Sequence, residues 1–377
     1  MKNLAANIIV IGAGISGAVI AERYAREGKK VLVIEKRNHI GGNCFDYYNK
    51  SKILISKYGA HIFHTNHEDV WDYVNQFSEW IPYKHRVVAD VDGIIVPIPV
   101  NIITVNKLLG TVIKTEDQMR LWLSQNQKRY EEPLKNSEEV GLSLVGHDLY
   151  NKLFKYYTKK QWARDAIELD PSVLERIPVR SNFNDLYFSD KYQGVPKGGY
   201  TKLVKKMLSN NNIKILLNTN YFDVKSQLCQ YDKLFYTGPI DRYFSSSSQI
   251  DTHLEYRSLR FVEETYDAPY YQKHAVINYP SPKISYIRAV EHKYITGQQN
   301  EVTVVTREYP STQGEPFYPI PNSRNNNLYR QYSREAAKLK SVYFIGRLAN
   351  YKYFNMDQAI KNALDLFNMV KYGTSSN

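Results

Sequence analysis

The segment from Ile8 to Glu35 constrains the fold of this 377-residue chain more than any other stretch. It begins with an apolar strand, Ile8 to Ile11, which leads directly into the glycine-rich turn GAGISG at residues 12–17. A helical pattern follows, and a second apolar strand, Val31 to Ile34, ends at the acidic residue Glu35. Strand, G-x-G-x-x-G turn, helix and strand in this order predict a dinucleotide-binding Rossmann unit.

Each residue of the turn has its own physical role in the predicted site. Gly12 permits the tight turn, Gly14 lets the backbone approach a pyrophosphate, and Gly17 lets the helix pack closely on the strand. The N–H groups at the start of the helix then face the phosphate charges. Glu35 stands 18 residues after Gly17, a spacing that suits a hydrogen bond to an adenosine ribose hydroxyl. A glycine-rich turn without a ligand would not account for the second strand and the acid.

The composition limits the class of protein. Hydrophobic residues make up 43% of the chain, as in ordinary globular proteins. No apolar run approaches the roughly 18 residues of a membrane span, and the chain enters its first strand without room for a signal peptide. The two cysteines, Cys44 and Cys229, do not suggest a disulfide framework. We therefore expect a cytoplasmic protein of two or three domains without membrane insertion.

The charge balance raises nucleic-acid binding as an alternative. The formal net charge is +12, from 50 basic and 38 acidic residues. The lysines are scattered and form no long basic arm, so solvated basic faces are the favoured interpretation and no nucleic-acid partner is expected. A positive surface would also attract a small anionic substrate. The 32 tyrosines concentrate in a few stretches, which indicates a wet aromatic pocket.

A second glycine pair, Gly41-Gly42, follows the ribose-binding acid and favours FAD over NAD, because an extended FAD runs on into such a cluster. The strings EKRNHIGGNCFD, from Glu35 to Asp46, and YGAHIFHT, from Tyr58 to Thr65, resemble the UDP-galactopyranose mutases, which are flavoenzymes. The strings IPVR, ending at Arg180, and FYPI, around Tyr318, extend the resemblance, which covers essentially the whole chain.

The resemblance implies an isomerase that interconverts UDP-galactopyranose and UDP-galactofuranose without net redox change. Reduced flavin is the active form in this family, and its N5 attacks the anomeric carbon while UDP leaves and later returns. NAD(P)H or another reductant would activate the FAD. The bacterial members suggest a homodimer.

The resemblance also carries site residues over to this chain. The cofactor-binding positions are Gly12, Gly14, Ser16, Gly17, Glu35, Lys36, Gly42, Asn43, His61, Ile62, Gly346, Arg347 and Met356. The substrate-binding positions are Phe154, Tyr157, Trp162, Tyr187, Tyr192, Tyr318, Tyr353, Asn355 and His85. The catalytic positions are Arg180 and Arg288, which match two arginines that hold the diphosphate, and His64, which matches a histidine beside the flavin. Asn355 and His85 depart from the aspartate and the asparagine of other members.

Local pattern alone gives several of these residues a plainer interpretation. Phe154 and Tyr157, at i and i+3 of a helix, would be core residues, and Arg180 would be a solvated loop charge. Histidines recur at 61, 64 and 67, but without a cysteine pair or helix carboxylates no metal site is expected. The string TNHE at 65–68 resembles a capping box, which predicts a helix from Glu68 to Trp80 with His67 exposed.

The predicted fold class is α/β, with a Rossmann-like FAD-binding domain built from discontinuous segments, a small helical domain and an antiparallel β-sheet domain. The predicted FAD-binding domain comprises residues 1–80, 196–242 and 338–377, and the helical domain residues 101–175. The sheet domain comprises residues 81–100, 176–195 and 243–337, with a mobile loop near 163–184.

Finer elements are predicted inside these domains. Asp92-Gly93 indicates a hairpin within Val87 to Val100, and Pro133 and Gly141 indicate breaks between helices. Tyr187 and Tyr192 are expected on one strand. Consecutive strands from Asp251 to Tyr309 are expected to form the antiparallel sheet.

Two other classes of function stay open. A flavin oxidoreductase or amine oxidase of the same fold would show net electron transfer and would not need two phosphate-binding arginines. A nucleic-acid-binding protein is suggested by charge alone. The sequence does not decide whether UDP-N-acetylgalactosamine is also a substrate.

Overall fold

A computed structural model describes residues 5–131, 133–228, 230–245, 250 and 252–373 of the chain, so Cys229 and Asp251 lie outside the described residues. The described β-strands are, in chain order, β1 (Ile8–Ile11), β2 (Val31–Ile34), β3 (Asp46–Tyr48), β4 (Leu54–Ser56), β5 (Phe63–Thr65), β6 (Trp80–Pro82), β7 (Val87–Val91), β8 (Ile94–Ile98), β9 (Tyr192–Pro196), β10 (Ile213–Leu216), β11 (Lys233–Tyr236), β12 (Tyr256–Tyr266), β13 (Val276–Asn278), β14 (Arg288–Glu291), β15 (Thr303–Ser311), β16 (Tyr318–Pro319) and β17 (Val342–Phe344).

The described α-helices are α1 (Ile15–Arg26), α2 (Glu68–Asn75), α3 (Ile102–Leu109), α4 (Glu116–Asn126), α5 (Ser137–Leu149), α6 (Tyr156–Trp162), α7 (Ser172–Glu175), α8 (Tyr200–Met207), α9 (Tyr221–Val224), α10 (Ile240–Phe244), α11 (Lys293–Thr296), α12 (Ser323–Ala337) and α13 (Met356–Tyr372). A π-helical segment, Tyr150–Lys155, leads directly into α6. Short 3₁₀ turns occur at Gly42–Cys44, Ala166–Glu168 and Lys225–Gln227.

A five-stranded parallel sheet, in the order β10-β2-β1-β11-β17, forms the first layer of the fold. Ile8 and Val10 of β1 pack into the core formed with α1, α8 and α13, whereas Ile9 and Ile11 pack on the opposite face beside Tyr236. Because helices and loops cover both faces, the inner strands β1 and β2 are continuously apolar. The strands come from distant parts of the chain, so the sheet is built from discontinuous segments, as the sequence predicted.

The glycine-rich turn joins β1 to α1 as predicted. Gly12 has φ +101°, a left-handed conformation that favours glycine. A Cβ atom at Gly17 would lie 2.0 Å from the carbonyl oxygen of Gly12, so no side chain fits between helix and strand. Gly41 donates its N–H to the carbonyl of Ala13 at 2.8 Å, which holds the second glycine pair against the first turn.

A seven-stranded sheet, in the order β16-β12-β15-β14-β13-β7-β8, forms the second layer. The predicted hairpin is confirmed: β7 and β8 are joined by Asp92 and Gly93, whose φ values are 52° and 88°. The neighbouring strands from β12 to β15 pair antiparallel, but β13 pairs with β7 in parallel. The predicted antiparallel sheet therefore contains one parallel pair, where a long stretch of chain between the two strands leaves their direction free of hairpin constraint.

Helices α3 to α6 form the predicted helical insert and share a large core with the second sheet. The break predicted at Gly141 is wrong, because α5 continues through that residue. A Cβ atom at Gly141 would lie 2.6 Å from the ring of Tyr150, so the glycine there allows close aromatic packing. The kink in α5 occurs instead at Gly146, which has φ 74°.

The helix predicted from Glu68 to Trp80 ends earlier, at Asn75. Trp80 begins β6, where its ring packs against Phe63 with the ring centroids 5.0 Å apart. This aromatic packing overrides the helical periodicity. The capping box is also wrong: His67 is the exposed N-cap, and the Thr65 hydroxyl accepts from its N–H at 3.0 Å.

Tyr187 is not on a strand, since β9 begins only at Tyr192. The backbone of Tyr187 donates its N–H to the carbonyl of His85 at 2.8 Å, next to the isolated bridge between Arg86 and Leu186. The segment before β9 is therefore attached beside the start of β7 by this hydrogen bond and this bridge, and it does not form a strand of its own.

Replacing Gly146 by alanine should destabilise the helical insert strongly. A Cβ atom there would lie 2.2 Å from the carbonyl oxygen of Asn126, in a backbone conformation that alanine rarely adopts. Gly110→Ala is the matched control, because Gly110 has φ +67° with nothing within 4 Å. We expect Gly146→Ala to lower the free energy of unfolding in urea by about 3 kcal/mol and Gly110→Ala by about 1 kcal/mol. Equal losses would contradict the steric argument.

Candidate functional site

Two large cavities lie side by side where the two sheets meet. One, of about 560 Å³, is lined by the glycine-rich turn around Gly14 and is called the glycine-loop cavity. The other, of about 500 Å³, is lined by Arg180 and Arg288 and is called the arginine cavity. Five residues line both cavities and form their shared wall: Asn43, His61, Arg347, Asn355 and Met356. A ligand in one cavity would therefore adjoin a ligand in the other.

The glycine-loop cavity brings together nearly all of the predicted cofactor-binding residues. Its lining includes Gly12, Gly14, Ser16, Gly17, Glu35, Lys36, Gly42, Asn43, His61, Gly346, Arg347 and Met356. Ile62 lines the arginine cavity instead.

The residues of this cavity fit a flavin dinucleotide. The first turn of α1 lies at its glycine-rich end, where a Cβ atom at Gly14 would come no closer than 3.7 Å to Gly42 and would enter the cavity. Met356, the first residue of α13, lies at the shared wall, so a second helix N-terminus faces the cavity. Helix N-termini stabilise negative charge, which suits a pyrophosphate at one end and a reduced flavin ring at the other.

Glu35 is held in place by backbone groups. Its carboxylate accepts the N–H of Ala13 at 2.8 Å and the N–H of Arg37 at 2.8 Å. The side chain is buried at the end of β2, so the acid is fixed at the cavity edge where a ribose hydroxyl would lie. Lys36 and Arg37 both pair with Glu315, which links this edge to the second sheet domain.

The arginine cavity brings together the predicted catalytic residues and all but one of the predicted substrate-binding residues. Its lining includes Arg180, Arg288, His64, His85, Phe154, Tyr157, Trp162, Tyr187, Tyr318, Tyr353 and Asn355. Tyr192 lines neither of these cavities. Its ring stacks on Trp71 with centroids 5.0 Å apart and its hydroxyl donates to Glu68, so we leave it out of the proposed substrate contacts.

Arg288 is held from three sides at the start of β14. It donates to the Asn278 side chain at 3.0 Å and to the Tyr157 hydroxyl at 3.2 Å, and it pairs with the buried carboxylate of Glu308 at 3.6 Å. Burial acts to lower the pKa of Arg288, but Tyr157 and Glu308 outweigh it and raise that pKa well above its ordinary value. Arg288 is therefore a fixed cation in the cavity wall.

Arg180 is held much more loosely. Its backbone N–H donates to the carbonyl of Val100 at 2.9 Å, which anchors the main chain at the end of the hairpin. Its guanidinium donates to the carbonyl of Asn184 at 3.2 Å and is partly exposed. The cavity thus combines one fixed arginine with one whose side chain can adjust to a ligand.

Sequence reasoning missed Arg176, which also lines the arginine cavity. Its guanidinium carbon lies 4.1 Å from the ring centroid of Tyr353, and that of Arg347 lies 4.8 Å from the same ring. Burial acts to raise the pKa of Tyr353, but Arg176 and Arg347 together lower it to about 8. The signal was present in the string ERIPVR, which carries two arginines four residues apart.

Two histidines, His64 and His85, line the arginine cavity and differ in their hydrogen-bond partners. The Nδ1 atom of His64 lies 3.0 Å from a carboxylate oxygen of Asp190, and its ring stacks on Phe188 with centroids 3.6 Å apart. Neither partner was identified from the sequence. His85 lies 3.3 Å from the Tyr83 hydroxyl, and burial followed by the charge of Arg288 lowers its pKa to about 3. His85 is therefore neutral at pH 7.

His61, in the shared wall, is also neutral at pH 7. Burial, followed by the nearby charge of Arg347, lowers its pKa to about 4. Its Nδ1 atom lies 2.9 Å from the carbonyl of Gly59. Among the residues that the structure describes, no group of three or more histidine, cysteine and acidic side chains is arranged to hold a metal ion. No helix within the same residues is long and apolar enough to cross a membrane.

Two family models match the chain. Residues 152–353 match the family described as UDP-galactopyranose mutase, and residues 10–77 match an NAD(P)-binding Rossmann-like domain. The second match covers the glycine-rich turn and confirms the predicted Rossmann-like fold class. The first covers those residues of the arginine cavity that lie between Leu153 and Tyr353, among them both arginines named above, but not His64 or His85.

Individual relatives extend over nearly the full length. A probable UDP-galactopyranose mutase of Klebsiella pneumoniae is 38% identical over 95% of this chain and 93% of its own. A dTDP-fucopyranose mutase of Escherichia coli is 36% identical over 95% of this chain and 96% of its own. A crystal structure of reduced UDP-galactopyranose mutase, 17% identical, matches the fold with a TM-score of 0.78 over 99% of this chain and 97% of that one.

His85 should make the stability of the protein depend on pH. Its folded-state pKa of about 3 lies below its ordinary value of 6.5, so its stabilising contribution is complete above pH 6.5 and is lost as the pH falls. Between pH 6.5 and 4.5 we expect the wild type to lose about 2 to 3 kcal/mol more unfolding free energy than His85→Asn. Denaturant titrations at the two pH values measure this difference. His67→Asn, at an exposed site, should behave as the wild type, and parallel losses in all three proteins would contradict the assignment.

Proposed function

The chain belongs to the UDP-galactopyranose mutase family, whose members are isomerases, and we propose that it interconverts UDP-galactopyranose and UDP-galactofuranose with bound FAD. The reaction moves the ring bond of the sugar from one oxygen to another and involves no net redox change. The observation that supports this proposal is the arrangement of the two cavities. A cation-lined cavity suited to a nucleotide diphosphate shares five residues with a cavity suited to a flavin dinucleotide.

When bound and reduced, FAD supplies at N5 the nucleophile for the anomeric carbon of the sugar. The protein would hold the ADP portion with the first turn of α1, Glu35 and Lys36. The N-terminus of α13 and neutral His61, both in the shared wall, would lie by the flavin ring, and the helix N-terminus would favour negative charge there. His64, fixed by Asp190, would hold the reacting sugar and the flavin in register.

The arginine cavity would retain UDP while it is detached from the sugar. Arg288 and Arg180 would bind the diphosphate and stabilise the charge that develops on it as a leaving group. Arg176 adds a third cation, behind Tyr353. Hydrogen bonds to phosphate or sugar would come from Tyr157, Tyr187, Tyr318, Tyr353, Asn355 and His85, and contacts to the uridine from Phe154 and Trp162.

Several finer statements belong to the same proposal. NAD(P)H or another reductant would keep the flavin reduced, and the protein would form a homodimer. Activity on UDP-N-acetylgalactosamine, and an oxidoreductase or amine oxidase activity on the same fold, stay as alternatives. The similarity to a dTDP-fucopyranose mutase, nearly equal to that of the UDP-galactopyranose mutase, adds dTDP-fucopyranose as a second candidate substrate.

The first test is chromatography of UDP-galactofuranose incubated with the purified protein, with and without dithionite. We expect a yellow protein that releases FAD on heating and forms UDP-galactopyranose only when the flavin is reduced. Conversion that proceeds equally without reductant would contradict the role of reduced flavin.

The same assay with dTDP-fucofuranose separates the two nucleotide sugars. A higher kcat/KM for UDP-galactofuranose supports the proposed substrate, and a higher value for dTDP-fucofuranose overturns it. A yellow, FAD-loaded protein that converts neither sugar but consumes oxygen with an amine would favour the oxidase alternative.

Arg288→Ala should remove most of the turnover while leaving FAD bound, because Arg288 lines the arginine cavity and not the glycine-loop cavity. We expect kcat to fall by about 100-fold or more, the loss typical of removing one preorganised cationic or hydrogen-bonding group from an active site. Arg260→Ala is the control, since Arg260 is exposed and packs on Tyr309 outside both cavities. A near wild-type kcat for Arg288→Ala, or an equal loss in both variants, would show that the diphosphate assignment is wrong.

A further inference from the structure

We propose that Lys160 is a positioning residue that fixes the loop before Arg288 against the substrate-facing helix α6. This proposal rests on the proposed function, because it concerns how the arginine cavity is held ready for a nucleotide diphosphate. Lys160 does not line that cavity, and no contact of its side chain with the substrate is implied.

The Lys160 ammonium group is surrounded by backbone carbonyl oxygens from one loop. Its Nζ atom lies 2.5 Å from the oxygen of Tyr279, 2.9 Å from that of Ser281, 2.9 Å from that of Ile284 and 3.2 Å from that of Tyr286. The loop therefore folds around the lysine. Four carbonyl dipoles that converge on one point repel each other unless a cation lies between them, and an ammonium group supplies three N–H donors and the charge.

This loop joins the two strands that carry the contacts of Arg288. Strand β13 ends at Asn278, and β14 begins at Arg288, so the loop that surrounds Lys160 lies between these two residues. Asn278 accepts a hydrogen bond from Arg288 at 3.0 Å, and Pro280 of the loop lines the arginine cavity. The position of the loop therefore determines the position of the Arg288 side chain and of part of the cavity wall.

The other end of the link is the substrate-facing helix. Tyr157 stands three residues before Lys160 on α6, so the two side chains leave neighbouring positions of one helix face. Its hydroxyl accepts a hydrogen bond from Arg288 at 3.2 Å. Arg257 holds the end of the same helix by donating to the carbonyl of Gln161 at 2.8 Å. Lys160 therefore closes a ring of contacts that runs from α6 through the loop to Arg288 and back to Tyr157.

The neighbouring lysine provides a matched control. Lys159 is exposed on the same helix and pairs with Asp165 at 2.9 Å, at the surface. Lys159→Met and Lys160→Met make the same chemical change one residue apart, but only the second removes the cation from the loop. A general effect of lost charge on the binding of an anion would appear in both variants.

The test is titration calorimetry of the oxidised, FAD-loaded protein with UDP, together with kcat and KM for UDP-galactofuranose under reducing conditions. We expect Lys160→Met to weaken UDP binding about tenfold or more and to lower kcat, while Lys159→Met stays within about twofold of the wild type. Flavin content should be unchanged in both. UDP binding by Lys160→Met within about twofold of the wild type would overturn the proposal, whereas a wild type that binds no UDP would overturn the proposed function itself.

Two further variants separate positioning from plain stability. If Lys160 acts through Arg288, the effects of Lys160→Met and Arg288→Ala on UDP binding should be less than additive in the double variant. Additive effects would indicate a structural role only and would overturn the proposal. Lys160→Arg keeps the charge and should recover part of the UDP affinity, and it serves as the test variant if Lys160→Met does not fold. If the Lys160→Arg protein bound UDP as weakly as Arg288→Ala and kept the wild-type melting temperature, a cation at position 160 would not be enough to hold the loop. That result would overturn the proposal.

Discussion

The close approach of Gly17 to the Gly12 carbonyl is the constraint on which the rest of the site depends. A side chain at Gly17 would place its Cβ atom 2.0 Å from that oxygen, so α1 can start this close to β1 only with glycine there. A similar constraint applies at Gly42, where a Cβ atom would lie 2.8 Å from the Cα atom of Gly14. These contacts bring two loops together and set the floor of the glycine-loop cavity. Asn43 directly follows Gly42 and is part of the shared wall, so the same contacts also place one residue between the two cavities.

The charge of the arginine cavity explains why tyrosines stand beside its arginines. Four arginines and two carboxylates line the cavity, and one carboxylate, Glu308, is already paired with Arg288. Buried guanidinium groups without partners are costly, and the phenol rings of Tyr157 and Tyr353 offset part of that cost through a hydrogen bond and through stacking. A bound diphosphate would neutralise the remaining charge, so the same imbalance that is unfavourable in the free protein favours the ligand.

The sequence predicted the elements whose signals are local and missed those that depend on tertiary contacts. The glycine-rich turn and the Asp92-Gly93 hairpin follow from backbone chemistry alone, and both are confirmed. Gly141 looked like a helix break, but the chain turns at Gly146 and brings the ring of Tyr150, at the end of the same helix, against Gly141. Trp80 looked helical, but an aromatic cluster draws it into a strand. Arg176 went unnoticed although it stands four residues before Arg180, because its role depends on the ring of Tyr353, which is far away in the sequence.

Arg180 is held less firmly than Arg288, and the contacts of the predicted mobile loop determine how Arg180 could move. The segment near 163–184 is not a free loop in this structure: it contains α7, and its backbone is tied by the bridge between Val179 and Val100. Asp170 adds a further tie by donating its N–H to the carbonyl of Pro321 at 3.0 Å. Movement of Arg180 therefore requires either rotation of its side chain alone or displacement of a packed unit that breaks several backbone hydrogen bonds together. The first costs little and would suit small adjustments to the diphosphate of the proposed substrate, whereas the second would be cooperative, because the backbone hydrogen bonds would break together.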